Sequence, residues 1–240
     1  MRELERIAII GAGRLGIALS RELDSAHPLG READPGDADV VLLCVPDAEI
    51  AHAAAALPVG TGLVGHCSGA TTLDPLTRAG HEAFSMHPLM TVPASGVPVF
   101  SGAAGAVAGS TPRALALATT LAERLGLRPI EIAEADRTAY HAAAAFASNF
   151  LTTVEGAAER LGATVGIDRA ALAPLVRASV EAWVALGARD AMTGPIVRGD
   201  QPTLDGHRAA IGERTPDLLA LYDLLVDASR DILAAPGAAS

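Results

Sequence analysis

The sequence contains no lysine; all 18 of its basic residues are arginine. That absence removes Schiff-base chemistry, a lysine general acid and the phosphate-binding lysine of a P-loop. Cysteine is nearly absent too: Cys44 and Cys67 are the only two, each in or just after an apolar run expected to be a buried strand. They read as reduced core residues rather than as a disulfide or a metal pair. His52 and His207 lack ligand spacing, so no metal is expected. No stretch approaches about 18 unbroken apolar residues, and no membrane span is expected. The start, Met1-Arg2-Glu3-Leu4-Glu5, lacks the apolar core of a signal peptide, and the reading is cytoplasmic. Positive charge is in deficit: the formal net charge is −10, which argues against nucleic acid or an anionic membrane surface as a partner.

What is present is a chain of 240 residues, half of them apolar, with ample material for a core. Its most informative run is Gly11-Ala12-Gly13-Arg14-Leu15-Gly16, placed directly after Ile7-Ala8-Ile9-Ile10 and before Ile17-Ala18-Leu19. A strand that ends in GxGxxG and turns at once into a helix is the fingerprint of a dinucleotide-binding βαβ unit. The first glycine permits a tight turn, the second admits a pyrophosphate, and the third lets helix and strand pack closely. The helix N-terminus then offers unpaired N–H groups to the phosphates. The expected cofactor-binding residues are therefore Gly11, Gly13, Arg14, Leu15 and Gly16.

Further along, Val40 to Val45 is a continuous apolar run, the pattern of a strand covered on both faces. Pro46 and Asp47 end it and begin a helix through Ala56. Gly62 to His66 reads as another strand, Leu73 to Arg78 as a short helix, and Ala83 to Met86 as a strand stopped by His87-Pro88. Pro98 to Phe100 and Ala104 to Val107 are weaker strands. A helix over Pro112 to Leu125 and the run Arg128 to Ile132 complete an α/β half. From Glu134 the period changes. Ala135 to Leu161, Arg169 to Leu186, Gln201 to Glu213 and Pro216 to Leu233 carry helical patterns, and Pro236 to Ser240 reads as a frayed end. The expected fold class is α/β: a Rossmann-like parallel sheet over residues 1–133, then an all-helical domain over 134–240.

The whole chain resembles the two-part family with a Rossmann-like half and a C-terminal domain of unknown function 2520. That family belongs to the superfamily of 6-phosphogluconate dehydrogenase, pyrroline-carboxylate reductase and deazaflavin-dependent NADP oxidoreductase. The motifs that carry the resemblance are GAGRLG at 11–16, ADVVLLCVPD at 38–47, HCSG at 66–69 and HPL at 87–89, then YHAAAAFASN at 140–149 and TGPIVRGD at 193–200. The resemblance implies an NAD(P)-binding half, and a helical half that supplies the substrate wall and the dimer interface.

The chain departs from that family in one interval. Gly16 and Asp39 are only 23 positions apart, where the family usually fits a further strand, a helix and a third strand. An acidic residue about 20 positions past the glycines normally holds the ribose, or an arginine meets a 2′-phosphate. Here His27 to Gly30 is the candidate remnant strand, with Arg31 for a phosphate and Glu32 or Asp34 for a ribose. The shortening leaves open a degenerate protein with no cofactor.

Val45 and Pro46 fall at the carboxyl end of a strand, where open α/β sheets bind ligands; Asp47 either joins them or caps the next helix. Ser68, in the loop after the next strand, can donate and accept short hydrogen bonds towards a cofactor or a substrate carbonyl. His87, at another strand end, is a substrate candidate. On the long helix, Tyr140-His141 and Ser148-Asn149 form a polar stripe, since seven residues turn through roughly 700°. Related dehydrogenases place a lysine one turn before the asparagine; here that position is Ala145. His141 is the nearest substitute proton donor, with Asn149 and Ser68 beside it as catalytic candidates. Arg198, in a loop, either clamps a carboxylate or phosphate or belongs to a turn joining two helices.

The expected activity is hydride transfer between NAD(P), with NADP favoured, and a small carbonyl or imine compound. The alternative is a non-catalytic dinucleotide-binding scaffold. A homodimer through the C-terminal helices is expected.

Overall fold

The computed structural model describes residues 6–24, 28–30, 34–92 and 100–235. Arg31, Glu32, His27, Pro98 and the terminal segment 236–240 fall outside them. The chain divides into two compact units, residues 1–148 and 149–240.

The first unit is built on a six-stranded sheet in sequence order. It comprises β1 (Ile7–Ile10), β2 (Val40–Leu43), β3 (Leu63–His66), β4 (Glu82–Leu89), β5 (Ala104–Gly109) and β6 (Arg128–Glu131). All neighbours are parallel except β4 and β5. Alternation along β1 and β2 sends side chains to opposite faces, and both faces are covered. Ile9 and Leu42 join one cluster with Leu19 of α1 (Arg14–Glu22) and Leu121 of α4 (Pro112–Arg124). Ile10 and Leu43 join the other with Ile50 of α2 (Ile50–Ala56) and Leu76 of α3 (Asp74–Arg78). This double covering is why β2 reads as an unbroken apolar run: all four of its residues are buried.

Among the described residues of the shortened interval, one trace of a strand remains. Leu29 forms a single parallel bridge with Ile10; its N–H donates to the Ile9 carbonyl at 2.8 Å, and its carbonyl accepts from the Gly11 N–H at 3.0 Å. Asp34 spends its carboxylate on a local turn, accepting from the Gly36 N–H at 2.8 Å.

Within residues 83–161 three expectations need correction. β4 does not stop at His87-Pro88 but continues to Leu89, because antiparallel β5 pairs with it as far as Leu89↔Ala104. Phe100 lies outside the strands. The helix after Glu134 is not uniform: α5 (Arg137–Ala145) leads through a π-helical turn at Phe146–Phe150 into α6 (Leu151–Ala163). A π turn holds more residues than an α turn, so the regular step that aligned His141 with Ser148 does not apply across it.

The second unit continues with α7 (Arg169–Ala191), α8 (Pro195–Arg198), α9 (Gln201–Arg214) and α10 (Leu219–Ala234). The segment read as a loop around Arg198 is thus a one-turn helix. Leu204, Ile211 and Val226 are the buried apolar residues of α9 and α10. α7 has no buried residue, and Gly187 breaks it. Within Arg169–Arg198 an 18-residue window reaches a mean hydropathy of 1.3, so by length and composition alone this stretch is apolar enough to cross a membrane.

Candidate functional site

The glycine loop and the strand ends enclose a cavity of about 430 Å³. It is lined by Gly13, Arg14 and Leu15 together with Cys44 to Asp47, Cys67, Ser68 and Val92. The three glycines differ in what surrounds them. Gly11 has φ +115°, and a Cβ there would overlap the Cys44 carbonyl. A Cβ on Gly16 would overlap the Gly11 carbonyl oxygen, whereas one on Gly13 would meet nothing within 4 Å. The first and third glycines therefore serve packing, and the second faces open space. Gly13 is also the N-cap of α1, with no side-chain cap and no acidic residue in the first turn, so that end keeps its capacity to bind an anion. Arg14 reaches across the opening to donate to the Val92 carbonyl at 3.0 Å.

Beyond β3 the chain makes a tight polar turn. The Ser68 hydroxyl donates to Thr71 Oγ1 at 2.9 Å and accepts from the N–H groups of Ala70 and Thr71 at 3.2 and 2.9 Å. Its hydrogen-bonding capacity is thus used locally, although its main chain lines the cavity. The Ser68 N–H donates to His66 Nδ1 at 3.2 Å, which leaves the ring proton on Nε2 to reach the Thr72 carbonyl at 3.1 Å. Both ring nitrogens of fully buried His66 are satisfied in the neutral form, and burial, more than any neighbouring charge, pushes its pKa down to about 4.

Gly69 is where the sheet meets α5. A Cβ there would lie 2.9 Å from His141 Cδ2 and 3.0 Å from His87 Cε1, so a larger residue would push these rings aside. The His87 and His141 ring centroids are 6.2 Å apart, and His87 Nδ1 is hydrogen-bonded to the Tyr140 hydroxyl at 2.7 Å. Burial, then the His141 and Arg137 charges, lowers His87 to about 4, while Asp47 opposes this. Burial raises Tyr140 to about 12. At neutral pH the pair is therefore a neutral imidazole and a neutral phenol.

A buried arginine holds this corner together. Arg137, 2% exposed, donates from Nε to Glu134 Oε1 at 2.6 Å, from one terminal nitrogen to the Ser68 carbonyl at 3.4 Å, and from the other to the Ser85 hydroxyl. The other oxygen of Glu134 accepts from the Leu73 N–H at 2.6 Å. Sequence reading passed over both residues. The available signal was an acid–arginine pair three apart at the start of a helical run.

Of the candidates, Gly11, Gly13, Arg14, Leu15, Gly16, Val45, Pro46 and Ser68 converge on the cavity or its packing. His87 and His141 meet each other beside it. Asn149 lies in the π turn and Arg198 in α8, both within the second unit, and both are exposed. The Asn149 carbonyl accepts from the Thr153 hydroxyl at 3.0 Å. Asp200, two residues after Arg198, caps α9 by accepting from the Thr203 N–H at 3.2 Å. Asp47 makes no capping hydrogen bond to the 3-10 turn that it begins.

The two shifted histidines set a pH dependence. Each is lowered from 6.5 to about 4, so below pH 6.5 the unfolded chain takes up protons that the folded chain refuses. The stability they contribute is complete above pH 6.5 and is lost as pH falls towards 4. Thermal unfolding midpoints should decline through that window, and His87→Asn should flatten the decline.

Residues 104–229 match the family described as domain of unknown function (DUF2520). No curated protein sequence matches the chain. Among solved structures, a Bacteroides fragilis protein provisionally named an NADP oxidoreductase is similar at 19% identity and TM-score 0.81, over 95% of this chain and 100% of that one. A Thermotoga maritima protein is similar at 21% identity and TM-score 0.78, over 95% and 98%. The Aspergillus terreus reductive aminase in complex with NADPH and ethyl-5-oxohexanoate is similar at 16% identity and TM-score 0.61, over 94% of each chain.

Proposed function

The chain belongs to the family of domain of unknown function 2520, and we propose that it is an NADP(H)-dependent oxidoreductase acting on a small carbonyl or imine compound. The observation that carries this reading is the cavity between an uncapped helix N-terminus and the carboxyl ends of β2 and β3, with the His87–Tyr140–His141 cluster beside it.

The residues present fit a dinucleotide. The open space at Gly13 and the uncapped first turn of α1 suit a pyrophosphate, and the cavity volume lies in the range of ligand sites. Gly11, Gly13, Arg14, Leu15 and Gly16 would hold the phosphates; Val45, Pro46 and the Ser68 main chain would line the nicotinamide end. The choice of NADP over NAD rests on Arg14 at the cavity and on the NADPH held by the similar reductive aminase. When bound, the cofactor supplies the hydride.

The protein's own part is orientation and proton supply. Tyr140, accepting from the Nδ1–H tautomer of neutral His87, keeps its own hydroxyl hydrogen to polarise the carbonyl or imine as charge develops on it. His141, exposed on the same turn of α5, delivers the proton. Ser68 has no hydroxyl hydrogen to spare, so the polarising role passes to Tyr140.

We also propose a homodimer through the second unit, where α7 exposes Leu175, Trp183, Val184 and Leu186. Apolar surface of this extent on one helix calls for a cover, and a second copy supplies it in kind.

One set of measurements tests these readings: stabilisation by the four nicotinamide forms, turnover on a carbonyl and imine panel, and mass by light scattering. NADPH should stabilise most, and the mass should be twice 24.3 kDa. Tyr140→Phe and His141→Ala should each lower turnover by about 10²–10⁴-fold with cofactor affinity unchanged. Equal loss of affinity and turnover would make them folding residues. Binding without turnover would favour the scaffold reading, which the single bridge at Leu29 supports.

A further inference from the structure

We propose that Cys44 and Cys67 form a peroxide-sensitive dithiol that closes the dinucleotide cavity when oxidised. The two sulfurs are 3.8 Å apart, in van der Waals and hydrogen-bonding contact, and both are free thiols. They occupy the positions immediately after Leu43 and His66, which are paired across β2 and β3, so the sheet itself holds them side by side. Both line the cavity. The thiols differ in access: Cys44 is half-buried and Cys67 is buried. The hydrogen bond to Cys44, and then burial, hold Cys67 in its thiol form.

That asymmetry assigns the roles. A peroxide entering the cavity meets Cys44 first. The Cys44 sulfur attacks one peroxide oxygen, the O–O bond breaks, and a sulfenic acid and one water form. The Cys67 sulfur then attacks the Cys44 sulfur. The S–O bond breaks, the S–S bond forms, and a second water leaves with the Cys67 proton. In total two thiols lose two electrons, and one peroxide becomes two waters.

The consequence for binding follows from what Cys44 touches. A disulfide brings the sulfurs to about 2.05 Å, well inside their present separation. The Cys44 Cβ lies 3.3 Å from where a Gly16 Cβ would stand, the Cys44 carbonyl packs against Gly11, and the Cys44 N–H donates to the Ile10 carbonyl at 2.7 Å. Movement of Cys44 is therefore passed directly to the loop that faces the phosphates, in an interior too closely packed to absorb it. By linkage, a bound dinucleotide should slow the oxidation. The regulatory half of this proposal rests on the dinucleotide reading of the cavity; the modification itself does not.

The test uses the full chain, titrated with hydrogen peroxide and followed by intact mass and NADPH affinity. The mass should fall by two hydrogens per chain with no intermolecular cross-link, and NADPH affinity should fall by about tenfold or more, recovering with dithiothreitol. Cys67→Ser should trap the Cys44 sulfenic acid for capture by dimedone, and Cys44→Ser should give neither product. Unchanged mass, cross-linked dimers, or dimedone capture at Cys67 in Cys44→Ser would overturn the dithiol. Loss of two hydrogens with undiminished NADPH affinity would overturn the closure. If NADPH binds neither form, the dinucleotide reading falls together with the closure, while the mass change still reports the dithiol.

Discussion

Gly13→Asp should leave the protein at least as stable as it is now and cost it about a hundredfold or more in dinucleotide affinity. Gly13 is the N-cap of α1 in an extended conformation, at φ −74° and ψ 176°, with nothing near its missing Cβ. Aspartate suits that backbone, can accept from the first-turn N–H groups, and carries the charge sign that a helix N-terminus favours, worth a few tenths of a kcal/mol. The same carboxylate fills the space reserved for a pyrophosphate and repels it. Gly16→Ala should do the opposite. Its methyl group collides with the Gly11 carbonyl, and the first unit should lose about 3 kcal/mol or more. Calorimetric titration with NADPH beside thermal unfolding separates the two effects. Unaltered NADPH binding by Gly13→Asp would remove the dinucleotide from this cavity.

Arg137→Leu should be the most destabilising single change away from the glycine loop, at about 3–5 kcal/mol, the usual cost of breaking a buried ion pair by removing one partner. The Ser85 hydroxyl and the Ser68 carbonyl lose their donor in the interior, while half-exposed Glu134 regains water. The partial exposure of Glu134 places the expected loss near the lower end. Arg137→Lys keeps the charge but lacks the fork that serves three acceptors, and should recover only part of it. Urea unfolding followed by far-ultraviolet circular dichroism measures both. A loss below about 1 kcal/mol for Arg137→Leu would show that water replaces the guanidinium without penalty.

The sheet was legible because its strands are covered on both faces. Ile7 to Ile10 and Val40 to Leu43 are apolar throughout, and the glycines between strand and helix have one backbone solution. The end of β4 was not legible. A proline normally closes a strand, and only the antiparallel partner β5, distant in sequence, extends pairing past Pro88. The π turn was hidden too: Phe146 to Phe150 carries no residue that forbids an α-helix, so nothing in its residue types distinguishes the two turns. At the candidate site, the rule that ligands of such sheets gather at the carboxyl edge led to His87 and the strand-end loops, and the polar stripe on the helix led to His141. Sequence reading missed Arg137 because, in a chain whose basic residues are all arginine, no single one stands out. It credited Ser68 with a free hydroxyl because the turn that uses it closes only when Ala70 and Thr71 fold back.

The bridge at Leu29 has a consequence for how this protein can change. Only 17 residues, Leu23 to Asp39, connect α1 to β2, and among the described ones Leu29 occupies the flank of β1. The entropy of closing such a connection grows with the logarithm of its length, so doubling it adds only about 0.6 kcal/mol. An inserted strand and helix would extend from a hydrogen-bonding position already in use and leave the pairing of β1 with β2 untouched. On the dinucleotide reading, recognition of the adenosine end is therefore a module open to grafting: it can be added by insertion beside Leu29 without rebuilding the sheet.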